Sequence, residues 1–587
     1  MRHLYILLFF VGYSASIMAW QNPYVDGDVA SVTKEPAGIP PVKIVYFIPS
    51  DMEPIPDREE RLGRVMRCVQ DFYRKGMEQH GYGPMTFALE WKDTNKLKLY
   101  EVRGKKKQEE YGREDSRIVR REVRDVLESQ YGIDADRELL VIFQLLLKRE
   151  GDKSIEVGPY VGSGSALSGT AWVYDDDRLD ANLLTSKQPG GYYNGYCSLG
   201  KFNTHYIGGV AHEMGHAFSL PHVCEWDSQH PKMGNALMGS GNHTFGRDLR
   251  NEGTGTFLAE TSALRLSVIR AFAGNLSNAG YRGEWNVEEL NAKEERNGNG
   301  QRTIVLTGRI TGSPNLLGII AYNDNLDISS DYDAKAWMTK DLKDGRFRIV
   351  IDELKTAPYQ LRLVGVHANG STSRLSINYQ VSDSRLHLDP INAIVMTERL
   401  RRFFRGKKTD EIKAIAKNPA ENETSRRMAE HLLNLLTEQK RINVADLSPK
   451  VKEADLSQAQ FVVEQTGWLG AHRGIVPEED VFIQIGDRFF ESGLYAHAPS
   501  NYTVNLGGHW KTLSIGYGLQ DGHDGVVRFI IRGDGKVLFR SEDVKDHIVR
   551  TQTVTIENVS KLELIVESAV EGNTGAWGIW VNPEIRR

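Results

Sequence analysis

The run from Val210 to His222, V-A-H-E-M-G-H-A-F-S-L-P-H, restricts this chain more than any other stretch. Residues four apart on an α-helix stand a little over one turn apart, so His212 and His216 leave the same face. Two imidazoles placed that way can grip one ion. Pro221 disfavours helical geometry at Leu220, which predicts a helix ending near Ser219 and a chain that turns back to deliver His222 as a third nitrogen. Three protein ligands leave a fourth position for water, which distinguishes a catalytic zinc site from a closed structural one. Glu213, beside the first histidine, is then placed to take the water's proton. The bland alternative is a helix lined by histidines, and H-E-x-x-H alone is weak evidence. The third histidine in register and a methionine downstream favour the metal reading.

With those residues in view, the run resembles the metzincin signature H-E-x-x-H-x-x-G-x-x-H, which is followed in that clan by a methionine turn. His212, Glu213, His216 and His222 fall in register, and N-A-L-M-G-S-G-N supplies Met238 for the turn. The resemblance implies a zinc peptidase with His212, His216 and His222 as metal ligands, Glu213 as the catalytic base and Met238 as the structural Met-turn. Ser219 stands where the clan has glycine, and a side chain in the left-handed conformation required there costs roughly 1–2 kcal/mol. Val223 follows the third histidine, and Ser240 stands where several families carry a tyrosine, so the group that steadies an oxyanion is not assigned. A rival arrangement takes its third ligand from a downstream glutamate, Glu225 or Glu260, as in gluzincin-like enzymes. The spacing of His222 is better.

At 587 residues the chain is too long for one core, and three to four domains are expected. Residues 1–19 read as a secretory signal peptide: Arg2, an apolar core, then I-M-A before Trp20. The core is short for a membrane span, no other stretch reaches spanning length, and residues 20–40 form a polar leader. The mature protein is therefore expected to be secreted, extracellular or periplasmic, without a transmembrane segment. A net charge of −5 gives no electrostatic case for nucleic acid. Export permits a disulfide between Cys197 and Cys224, although three separate thiols, with Cys68 in the core, are as consistent with the sequence.

Residues 41–275 are assigned to an α+β metallopeptidase domain. Strands are expected at Val42–Ile48, Thr86–Trp91, Lys96–Val102 and from Leu139, with helices over Arg58–His80 and Asp115–Tyr131. G-T-A-W-V-Y at 169–174 is expected to edge the substrate cleft. The histidine-bearing helix is expected to begin at Asn203 or Thr204, with close packing against the sheet at Gly208 and Gly209, and another helix to span Thr256–Phe272. Residues 281–385 alternate as an immunoglobulin-like β-sandwich, read as a spacer. Residues 392–440 are helical. Arg399, Arg401, Arg402, Arg405, Lys407 and Lys408 there suit either a solvated face or polyanion binding.

Residues 456–587 are β-rich, with Y-A-H-A-P-S, L-G-G-H-W-K-T-L-S-I, V-R-F-I-I-R-G-D-G-K-V-L-F-R-S and G-A-W-G-I-W. This text resembles the NPCBM family of carbohydrate-binding modules, β-sandwiches appended to secreted bacterial glycosidases and other hydrolases. The resemblance implies carbohydrate as a partner. Trp468, His472, Trp510, His523, Trp577 and Trp580 have the chemistry to face a sugar, though each is more ordinary as core. The whole therefore reads as a multidomain, secreted, zinc-dependent endopeptidase directed by its last domain to glycoprotein or glycan-rich substrates. The alternative is an exported glycan-binding or adhesive protein with an inactive peptidase-like domain. A glycoside hydrolase lacks a defensible pair of carboxylates.

Overall fold

The computed structural model describes residues 35–274 and 282–587, apart from 329–330, 420, 422, 438–440, 478–480, 487 and 571. The expected signal peptide and the leader up to residue 34 lie outside the described residues. Among those described, no helix is long and apolar enough to cross a membrane.

The first domain is built on β1 (Lys43–Ile48), whose K-I-V-Y-F-I is buried along nearly its whole length, as a central parallel strand must be. α1 (Arg58–Gln79) covers the sheet with Leu62, Val65, Met66, Val69, Phe72, Tyr73 and Met77, all buried and recurring at the helical period so that they share one face. Next come β2 (Tyr100–Arg103), α2 (Ser116–Tyr131) and β3 (Leu139–Gln144), the last buried at every residue. β4 (Val161–Gly164), β5 (Gly169–Tyr174) and α3 (Leu199–Ala217) complete the part that carries the histidines. The strand order is β2-β1-β3-β5-β4, parallel except for β4, which runs antiparallel to β5.

Several sequence expectations shift here. β5 lies inside the sheet, and the edge strand is β4, whose V-G-S-G carries almost no strand propensity. Of the stretch from Thr86 to Leu97, only isolated bridges at Ala88, Trp91 and Leu97 take part in pairing. α3 begins a turn earlier than Asn203, capped by the Ser198 hydroxyl accepting from Lys201 N–H at 3.1 Å. Asn203 is tertiary: its Oδ1 accepts from Asp180 N–H at 2.8 Å and its Nδ2 donates to Arg178 O at 2.9 Å. The expected helix over Thr256–Phe272 is instead a strand, Thr256–Phe257, and two short helices, Glu260–Leu266 and Arg270–Ala273. All three cysteines are free thiols.

The second domain stacks a three-stranded sheet (Glu284–Arg296, Arg302–Ser313, Arg346–Ile351) on a five-stranded one that includes Leu316–Asn325 and Ala357–His367. Along Leu316–Asn325, alternate residues serve different cores. Ile319 and Ala321 face the sandwich interior, while Ile320 and Tyr322 join the core of the first domain. A strand buried on both faces shows no hydropathic alternation, which hides this docking from the sequence. The sandwich is therefore packed onto the first domain, not strung beside it as a spacer.

Three helices follow, Asp389–Arg405, Thr409–Ala416 and Glu423–Leu435. Their shared core of Leu400, Ile412, Ile415, Met428 and Leu432 is completed by Val481 and Phe482 of the C-terminal domain. That last domain is a sandwich of a six-stranded and a five-stranded antiparallel sheet. Trp510 and Trp580 are fully buried in it, and His523 covers one face of Trp577 with ring centroids 3.9 Å apart. Of the aromatic sugar-face candidates, Trp468 is the exposed tryptophan.

Candidate metal centre

α3 lies across β4 and β5 so closely that three strand positions have no room for a side chain. A Cβ at Gly162 would run into the carbonyl of Glu213, and one at Gly164 or Gly169 into the carbonyl of Ala217. The helix thereby brings its last turns, with His212, Glu213 and His216, directly over the sheet edge. Gly208 and Gly209 face other partners than the expected sheet: Asn242 and Phe245 crowd the first, the Tyr160 ring the second.

Past Ala217 the chain reverses. Ser219 has φ of 66°, the left-handed conformation its position in the run requires, although it carries a Cβ. Arg265 holds it there, donating to both the carbonyl and the hydroxyl of Ser219. Leu220 N–H returns to Gly215 O at 2.9 Å, and His222 comes back over the helix.

One ring nitrogen from each of His212, His216 and His222 lies within 4.8 Å of the others. His212 Nδ1 donates to Leu237 O at 2.7 Å, and His216 Nδ1 donates to Leu220 O at 2.9 Å. A carbonyl can only accept, so each Nδ1 carries the proton and each Nε2 presents a lone pair. His216 Nε2 and His222 Nε2 are 3.0 Å apart. His212 Nε2 is buried without a hydrogen-bond partner, and burial, with His216 beside it, holds this imidazole down at about 3. Three imidazoles converging on one point, two oriented by backbone carbonyls, are a donor set suited to a divalent cation of zinc type.

Met238 is fully buried, with its sulfur against Gly215 in the gap between the two helical histidines. Leu237, beside it, supplies the carbonyl that orients His212, and Val223 N–H donates to Met238 O at 3.2 Å. The alternative glutamates are turned elsewhere. Glu225 accepts from Ala236 N–H at 2.9 Å and from Asn235 Nδ2 at 3.1 Å, while Glu260 is half-exposed beside Lys340.

Glu213 borders a cleft of about 900 Å³ that runs past Tyr160, Tyr193 and His205 towards Arg113 and Glu156. Burial pushes its carboxyl up to about 8, opposed by a hydrogen bond from Gly162 N–H. Tyr332 was not foreseen from the sequence. It reaches the cleft from the second domain and stacks on His222 with ring centroids 3.7 Å apart. Cys224 N–H donates to Ala334 O at 2.9 Å, the Cys224 thiol to Asp333 O at 3.1 Å and Trp226 Nε1 to Ala336 O at 3.0 Å. The loop that carries His222 is thus stitched to the second domain, and no local sequence signal marks that contact.

An α+β domain with three converging histidines, followed by β-domains of which the last is a carbohydrate-binding-module-type sandwich, is the class these features define. Residues 452–586 match the NPCBM/NEW2 domain family. Among solved structures, the chain is similar to wild-type OgpA from Akkermansia muciniphila, at 25% identity and a TM-score of 0.51 over 61% of this chain and 98% of that one. It is also similar to catalytically inactive OgpA in complex with an O-glycopeptide (glycodrosocin) substrate, at 25% identity and a TM-score of 0.52 over 63% and 99% of the two chains. That share of this chain is close to the length of its first two domains. No curated protein matches the sequence.

Proposed function

We propose that the chain is an exported, metzincin-like zinc peptidase that hydrolyses peptide bonds in O-glycosylated protein substrates, with its C-terminal domain holding carbohydrate. The observation that carries this reading is the convergence of His212, His216 and His222 around the bare, buried Nε2 of His212, with Glu213 on the wall of an open cleft. Zinc held by these nitrogens would supply Lewis acidity towards a carbonyl and towards water. Glu213 takes the proton of the attacking water and returns it to the departing amine. Leu237 O and Leu220 O keep the imidazoles in the tautomer that leaves Nε2 free to bind, and Met238 packs the floor beneath them. The likeness to a protein solved with an O-glycopeptide substrate supports the substrate class, and the NPCBM match supports sugar binding. The leading apolar segment of the sequence supports export.

The test is zinc content and cleavage of an O-glycosylated peptide by the purified chain. Wild type is expected to carry about one zinc per chain. Glu213→Ala should keep the metal and lose cleavage by roughly 10²–10⁴-fold, the range for a general base. Metal-free protein after gentle purification, or an active Glu213→Ala, would refute the reading.

A further inference from the structure

The six basic residues between Arg399 and Lys408 do not share one face. Arg401 turns to the C-terminal domain, donating to Gln484 Oε1 at 2.8 Å and pairing with Glu398 at 2.5 Å. The Lys408 ammonium lies over the Phe403 ring, 5.8 Å from its centre. Arg399, Arg402 and Arg405, spaced three apart, form one ridge of their helix. They line a hollow of about 350 Å³ between that helix and the second domain, where Arg374 from strand Thr372–Val381 joins them.

Two carboxylates border the hollow, and both are engaged elsewhere: Glu288 with Arg309 at 3.2 Å, Glu398 with Arg401. Among the described residues, neither Arg399 nor Arg402 has a carboxylate partner. Arg374 is held by its own strand, donating to Ser376 Oγ at 2.8 Å and to Gln360 Oε1 at 3.4 Å, so Arg399 and Arg402 are the two guanidinium groups the hollow can offer to a ligand. Two like charges facing one concavity focus positive potential on whatever enters. The rest of the wall is apolar: Leu375, Val395 and the half-buried Trp285, whose ring packs against Gly365.

Guanidinium forks recognise carboxylate and sulfate oxygens, and an aromatic wall beside them receives the C–H face of a sugar ring. We propose that this hollow binds an acidic sugar, its sulfate or carboxylate held by Arg399 and Arg402 and its ring against Trp285. The site is separate from the metal centre and stands whether or not the chain cleaves peptides.

Calorimetric titration of the full chain with N-acetylglucosamine 6-sulfate, N-acetylneuraminic acid, N-acetylglucosamine and inorganic sulfate, at physiological ionic strength, tests the proposal. At least one acidic sugar should bind ten times more tightly than both the neutral sugar and sulfate, and which one does identifies the anionic group. Arg399→Gln with Arg402→Gln should weaken that binding at least tenfold, while Lys407→Gln with Lys408→Gln, the same loss of charge, should change it less than twofold. Trp285→Leu keeps every arginine, and should weaken the sugar at least threefold but not sulfate, which decides the matter if the arginine variant folds poorly. Equal binding of neutral and acidic sugars overturns the proposal, as does equal weakening by the two charge variants. Acidic sugars that bind no better than sulfate also overturn it, leaving an ion pocket only.

Discussion

Ser219 is the residue at which local strain and site geometry meet. Its φ of 66° costs a side-chain-bearing residue about 1 kcal/mol more than glycine, and the contact from Arg265 to its hydroxyl is long at 3.3 Å. Ser219→Gly is therefore expected to raise stability by about 1 kcal/mol, read as a higher urea midpoint with an unchanged slope. His205 gives the pH-dependent counterpart. It is buried against Tyr193, ring centroids 3.4 Å apart, and burial with His243 nearby lowers it from about 6.5 to about 3. In the unfolded chain it takes up a proton near 6.5; folded, it does not until about pH 3. Its contribution is thus fully present above pH 6.5 and is lost as pH falls towards 3, by about 1.4 kcal/mol per pH unit. His205→Phe should flatten that part of the stability–pH curve, measured by chemical unfolding between pH 4 and 7. The approach of His212 to His216 was legible because helical spacing alone produces it. Tyr332 was not, because only the docking of two domains brings it to His222.

At the scale of elements, α3 and the edge strand depend on one another. The sequence declared the helix through its histidines but not the strand, since V-G-S-G at 161–164 is shaped by the helix above it and not by strand propensity. Gly164→Ala would drive a methyl group into the Ala217 carbonyl, and overpacking of this kind costs about 1–3 kcal/mol. The expected outcome is a folded, less stable protein whose zinc affinity falls at least tenfold, measured by chelator competition. Wild-type affinity in that variant would mean the helix position does not set the histidines. The same reasoning explains the misplaced start of α3: Asn203 has the right side chain for a cap, but it lies inside the helix, bonding back to Leu199 O and across to Asp180 and Arg178, the last two distant in the sequence.

For the whole molecule, the boundaries between units are unequal. The first two domains share a core through Ile320, Tyr322, Val364 and Val366, and strands buried on both faces left no trace of this in the hydropathy pattern. Truncation after residue 274 should therefore yield a protein that does not hold zinc, because Tyr332 and the partners of Cys224 are gone. A chain ending at Gly406, which keeps Ile391, Ile394 and Val395 on the second-domain core, should stay soluble and keep cleavage of a small glycopeptide, whereas one ending at residue 441 should aggregate, with Leu400, Ile412 and Met428 stripped of Val481 and Phe482. Size-exclusion chromatography and peptide turnover distinguish these outcomes. The helical unit belongs physically to the C-terminal sandwich as much as to what precedes it. In genetic terms, a recombination event that exchanged this last module for another would have to carry the helices Thr409–Ala416 and Glu423–Leu435 with it, because Val481 and Phe482 close their core. Crossovers in the polar stretch just before residue 452, where a family boundary alone would invite them, would be purged by selection against misfolding.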